Sequence, residues 1–167
     1  MRPSSAGPRT PRRSRTWRAW SRRIFDEGRR PLRVLCVDLG DVRTGLAAGD
    51  DVVRLVQPLS VLVERNAELR MEKIARAIED HGADLVVVGL PINMDDTEGP
   101  RAIAARAFGA ALATRTGLPV EFHDERLSSF EADETLKGSG LTRKGKKKIQ
   151  DAVAAATILQ DWLNARS

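Results

Sequence analysis

The sequence predicts an α/β domain built on a mixed sheet, an antiparallel meander followed by parallel strands, with helices flanking it. Short apolar segments rich in β-formers crowd the start of the folded region. The order helix, Gly, strand then occurs twice. The chain closes on a segment whose apolar residues recur at helical spacing.

Leu32 to Asp38 is an apolar run that ends in an acid and is followed by Gly40, the pattern of a buried strand. After Asp41-Val42-Arg43, Thr44 to Ala48 reads as a return strand. Val52 to Val63, interrupted near Gln57-Pro58, supplies a third. From Asn66, an N-cap residue type, Ala67, Met71, Ile74 and Ile78 define one helical face, and Gly82 supplies the stop. Leu85 to Val88 is a short continuous apolar run, as in a strand covered on both faces. A second helix starts near Gly99-Pro100, with Pro at its first position, Ile103, Ala107 and Ala111 on its face and Gly117 at its end. Val120 to His123 is the next strand. Right-handed crossovers make these later strands parallel. The last helix is expected over about 146 to 165, with Ile149, Val153, Ala156, Leu159 and Leu163 as its stripe.

The 167 residues carry 28 Lys and Arg against 23 Asp and Glu, a formal +5. That charge is unevenly placed. Residues 1–31 hold ten Arg against Asp26 and Glu27, net +8, and the other 136 residues 18 basic and 21 acidic, net −3. With four Pro and little periodic burial, 1–31 reads as a basic, disordered arm outside a single domain over 32–167. Trp17, Trp20 and Phe25 among the arginines offer stacking surface for bases, whereas an incidental extension is the simpler reading. An organellar transit peptide has a similar composition, and an upstream start codon would add a stretch of this kind.

Cys36 is the single cysteine, which excludes an intrachain disulfide framework and a Cys-based zinc site, and fits a reducing cytoplasm. No apolar run approaches the roughly 18 residues of a membrane span. His81 and His123 show no metal-ligand spacing, and no Ser-His-Asp or Cys-His constellation points to covalent catalysis.

Ligands of open α/β sheets bind outside the carboxyl ends of the strands. Three polar features collect at that edge: Asp38, the loop Pro91 to Gly99, and Asp124-Glu125-Arg126. Asp38 before Gly40 and Gly45 has the chemistry to hold a divalent ion where the glycine lets a phosphate approach; the competing reading is a turn cap. Glu125 would ligate metal and Arg126 clamp a phosphate or carboxylate, against an ordinary exposed charge cluster. Asp151 lies in a helix of small residues able to pack close to the sheet, or is an acid favoured by the helix dipole. The basic run Arg143, Lys144, Lys146, Lys147 and Lys148, read as a loop around Gly145, has the charge to hold a polyanion.

Over about residues 33 to 163 the chain resembles the YqgF family of pre-16S rRNA nucleases, also described as Holliday-junction-resolvase-like proteins. Asp38-Leu39-Gly40-Asp41-Val42-Arg43-Thr44-Gly45 is similar to its opening Asp-x-Gly-x-x-Arg-x-Gly motif. Gly89 to Met94 with Thr97 to Pro100 matches its central loop, Asp124 to Ser129 its Asp-Glu-Arg signature, and Asp151 with Ala154-Ala155 and Ile158-Leu159 its terminal helix. The resemblance implies a ribonuclease-H-like fold, an acidic triad of Asp38, Glu125 and Asp151, and polar roles for Arg43, Asn93 and Arg126. It also implies a substrate in pre-16S rRNA or branched DNA, with ribosomal precursor particles as partners. Asp96 stands where a glycine is usual, and Asp tolerates left-handed backbone.

The mechanism expected is phosphodiester hydrolysis with one or two Mg²⁺ or Mn²⁺ ions on the carboxylates. Arg126 and the basic run would position the strand, and a symmetric junction would call for a homodimer. A binding factor with structural acids is a rival class, expected to bind RNA without metal and to lose affinity steeply with salt. An ATPase-like phosphate-binding domain is another, for which the chain looks too short. One difficulty attends the triad. If the Val-rich strand lies between those ending in Asp38 and Glu125, the acids start roughly 9 to 10 Å apart, and a twist or bulge would have to bring them together.

Overall fold

A computed structural model describes residues 30–127 and 143–166, apart from the side chains of 127 and 143–148. The chain divides into two units, Met1–Arg30 and Pro31–Ser167. Residues 1–29, and with them nearly all of the arm expected over 1–31, lie outside the described residues.

Five strands form one sheet: β1 (Arg33–Leu39), β2 (Arg43–Asp50), β3 (Gln57–Val63), β4 (Leu85–Leu90) and β5 (Val120–Asp124). They lie in the order β3-β2-β1-β4-β5. β1 to β3 form the antiparallel meander, and β4 joins β1 and β5 in parallel pairs. Among the described residues the helices are α1 (Ala67–His81), α2 (Pro100–Thr116) and α3 (Arg143–Asn164), with a 3₁₀ turn at Glu125–Leu127.

Strand alternation sorts the core into two layers. Leu35, Val37, Leu46, Val86, Val88 and Leu90 pack with Ile74 and Ile78 of α1 and Leu112 of α2. Val34, Cys36, Ala47 and Val87 pack on the other face with Ile158, Leu159, Trp162 and Leu163 of α3. β4 is buried throughout because helices cover both of its sides. Asn66 caps α1 by accepting from the Leu69 amide at 3.0 Å, and Gly82 ends it in the left-handed region at φ 58°. At its far end α3 is fastened to β5. Trp162 Nε1 donates to Glu121 at 3.0 Å, and the Arg166 guanidinium lies 4.3 Å from the centroid of the Trp162 ring.

Three expectations are corrected. The third strand starts at Gln57, and Val52 to Val56 do not belong to it, because the Asp50 carboxylate accepts from the Val52 and Val53 amides and folds a turn there. On α2 the buried stripe is Ala102, Ala105, Gly109 and Leu112, whereas Ile103 is 60% exposed and Ala107 and Ala111 also face outward. Alanines surround this helix, so spacing alone does not choose a face. Close approach chooses it, since a Cβ on Gly109 would lie 2.6 Å from Phe122 Cζ. The basic run is not a loop, for α3 begins at Arg143 and takes it in. Lys and Arg are good helix formers. Among the described residues no helix is long and apolar enough to cross a membrane.

The two faces of α2 can be told apart by substitution. Ala105→Asp buries an unpaired carboxylate and should abolish or strongly lower the thermal transition, while Ala107→Asp should change stability by less than about 0.5 kcal/mol. Circular dichroism melts would expose the reverse order if Ile103, Ala107 and Ala111 were the core stripe.

Candidate active site

Asp38 pairs with Gly45 of β2, and the Val37 to Val88 pairing puts it level with Gly89 of β4, which pairs with His123 of β5. Alternation places all four on the side of the sheet that α3 covers. The row across the sheet therefore reads Gly45, Asp38, Gly89, His123. Both strand neighbours of the acid lack a side chain.

Each glycine admits a different partner. A Cβ on Gly45 would overlap the Asp151 carbonyl, so the α3 backbone rests directly on β2. A Cβ on Gly89 would collide with Glu125 Oε1 and lie 3.0 Å from Ile158 Cδ1, so the Glu125 side chain folds back across β4 toward Asp38. This answers the spacing difficulty. β4 does separate β1 from β5, and its pairings run without a register shift. The missing side chain, rather than a bulge, closes the gap.

The carboxylates feel one another. Burial, and then the charge of Asp151, raise Asp38 to about 6, with Arg101 opposing. Burial, and then the charge of Asp38, raise Glu125 to about 7, again against Arg101. Burial, with Asp38 and Glu125 adding to it, also pushes the Cys36 thiol up, which suits a core thiol and not a nucleophile. Arg43 Nε donates to Asp151 Oδ2 at 2.6 Å.

Arg126 clamps the end of β5 to the loop after β4. It donates to both Asp124 oxygens, to the Asn93 carbonyl at 2.9 Å and to Asp96 Oδ1 at 2.8 Å. These bonds hold Asp124 below the usual carboxylate range. Asp96 occupies the left-handed region at φ 64°, where the motif has glycine, and its carboxylate adds to the clamp. Asn93 Nδ2 donates to Thr97 Oγ1 at 3.0 Å inside the same loop.

The structure thus gathers Asp38, Glu125 and Asp151 around one row, ties Arg43 to the third of them, and places Asn93 and Arg126 in the loop clamp. The side chains of Arg143, Lys144, Lys146, Lys147 and Lys148 lie outside the described residues. Two residues had no signal strong enough to find them. Arg101, in the first turn of α2, is the cation acting on both Asp38 and Glu125, and only its place after the polar loop hints at it. His123 ends the row, and among the described residues its buried Nε2 has no hydrogen-bond partner.

Hard oxygen donors gathered from three carboxylates are the chemistry of a Mg²⁺ or Mn²⁺ site. The donor set fits such an ion. Its geometry is open, for among the described residues no three His, Cys, Asp or Glu side chains converge enough to hold a metal.

A mixed five-stranded sheet in this order, flanked by helices on both faces, is a ribonuclease-H-like fold, and the family and relatives that the chain matches are nucleases. Residues 32–165 match the RuvX family model, described as Holliday junction resolvase, and the chain belongs to that family. An Anaeromyxobacter protein named "Putative pre-16S rRNA nuclease" is 47% identical over 135 residues, covering 81% of this chain and 98% of that one. A protein of the same name from Pelotomaculum thermopropionicum is 38% identical over 136 residues, covering 81% and 88%. The fold matches Thermus thermophilus RuvC in complex with Holliday junction substrate at TM-score 0.51 and 17% identity, over 81% of this chain and 95% of that chain. It matches the fowlpox virus resolvase with Holliday junction DNA at TM-score 0.53 and 12% identity, over 80% and 98%.

The two glycines separate fold from site. Gly89→Ala meets the movable end of Glu125, so the melting temperature should fall little while the Glu125 titration, followed by carboxyl NMR, drops toward the ordinary range as the side chain is pushed away from Asp38. Gly45→Ala meets backbone and should fail to fold stably.

Raised carboxyl pKa values mean that the folded chain holds protons the unfolded chain releases, so metal-free stability declines as pH rises from about 4 through about 7. Asp38→Asn should flatten that decline and raise the melting temperature at pH 8. Melts of both proteins from pH 4 to 8 in EDTA would refute this if the two curves ran parallel.

Proposed function

We propose that this chain is a divalent-metal-dependent nuclease of structured RNA, acting in the cytoplasm on the 5′ end of pre-16S rRNA during ribosome biogenesis. The single observation that carries the metal-dependent reading is the row itself, where two bare strand positions let Glu125 and α3 reach Asp38. Relatives at 47% and 38% identity bear the pre-16S rRNA name and support the choice of substrate.

Asp38, Glu125 and Asp151 would hold the ion or ions. Bound Mg²⁺ or Mn²⁺ supplies Lewis acidity toward a phosphoryl oxygen and lowers the pKa of an attacking water. The chain's own residues do the rest. Gly89 keeps Glu125 over the sheet, and Arg126 holds the loop around Asn93 against the end of β5 so that the site's floor stays fixed. The run from Arg143 to Lys148 brings five cations to the first turns of α3, where the helix dipole is also positive, and an incoming phosphate backbone supplies the negative charge that this end lacks.

A second reading, a resolvase of four-way DNA junctions, is supported by the fold matches and by the family description. It calls for a homodimer, because a symmetric junction needs two cuts. Incubating the protein with precursor rRNA and with a four-way junction, in Mg²⁺, Mn²⁺ or EDTA, separates the two. Cleavage of the RNA is expected with metal only, and Asp38→Asn or Glu125→Gln should reduce it by at least about 10²-fold with the fold intact. Preference for the junction would establish the second reading, and binding without cleavage would leave a ribosome-assembly binding factor.

A further inference from the structure

The acids of the row are close enough to perturb one another, yet among the described residues no trio is arranged to hold an ion. Asp151 is held on two sides. Its backbone is fixed, since the α3 carbonyl at this residue lies against Gly45. Its carboxylate is engaged by Arg43, which opens β2 on the same side of the sheet. The pair is charge-assisted and short at 2.6 Å.

We infer that Arg43 is a built-in counter-ion of Asp151 that a divalent cation must displace before the third carboxylate can serve the site. The inference rests on the metal-dependent reading above. Three features support displacement over permanence. The Arg43 and Asp151 side chains are 34% and 31% exposed, so water competes for the pair and its net worth is small. The acid is held by the backbone, whereas the arginine hangs on a long side chain anchored at a strand end, so the cation is the partner able to leave. Asp38 stands in the same row, close enough to Asp151 for their charges to act on each other, so one guanidinium does not match the carboxylates gathered here. A doubly charged ion on hard oxygens would do so better.

Mn²⁺ affinity, measured by titration calorimetry or by loss of the free-ion EPR signal, tests this without reference to turnover. Arg43→Met should tighten Mn²⁺ binding by about tenfold, and the gain should vanish in the Asp151→Asn background. Arg101→Met is the control. Its charge also acts on Asp38 and Glu125, but no hydrogen bond joins it to Asp151 among the described residues, so any gain it produces should survive Asp151→Asn. Equal or weaker Mn²⁺ binding by folded Arg43→Met, or a gain that persists without Asp151, overturns the inference while leaving the metal site standing. If neither the wild type nor Arg43→Met binds Mn²⁺, the metal reading and the inference fall together. Circular dichroism establishes that each variant is folded.

Discussion

The site depends on the absence of two side chains. Asp38 ends the middle strand of the sheet, where a side chain on either neighbouring strand would fill the space beside it. Gly45 on one side lets a helix backbone touch the sheet, and Gly89 on the other lets a carboxylate from beyond the next strand lie across it. Neither glycine is needed for a positive φ at these positions. Both are needed because atoms of another element occupy the place a Cβ would take.

Gathering acids in this way works against stability. Burial is the largest influence on both Asp38 and Glu125, and each is opposed further by a neighbouring acid. The surrounding cations offset only part of this: Arg101 acts from the start of α2, and Arg43 pairs with Asp151. The sheet beneath absorbs the strain through a well-packed double core, with Leu35, Val37, Val86, Val87 and Val88 essentially inaccessible. A scaffold of this kind holds charges in place that would otherwise separate.

Much of this was legible in the sequence, and what was not failed for identifiable reasons. Asn66, Gly82, Pro100 and Gly117 marked the helix ends because capping is local chemistry, carried by one residue and its neighbours. The meander and the two parallel crossovers followed from element order. Motif spacing marked Asp38, Glu125 and Asp151, and their surroundings now show two glycines making room around the first. The α2 stripe misled because alanine recurs on every side of that helix and contact with Phe122 chose between faces. Arg101 escaped notice for a related reason, since its influence depends on where the loop after β4 aims the helix. The engagement of Arg126 by Asp96 and Asn93 came from residues thirty and thirty-three positions away, a distance over which periodicity carries no information.

The anchoring of α3 at its carboxyl end gives the helix a mechanical character. Leu159, Trp162 and Leu163 are sealed against the sheet, and the Trp162 to Glu121 bond ties that end to β5, while Ile149 near the other end is 39% exposed. The helix is clamped at its carboxyl end, with Gly45 as the rest on which it bears and Asp151 riding above that rest. A side chain in place of Gly45 would act as a wedge under the helix, so the height at which Asp151 stands over the sheet is set by the strand beneath it.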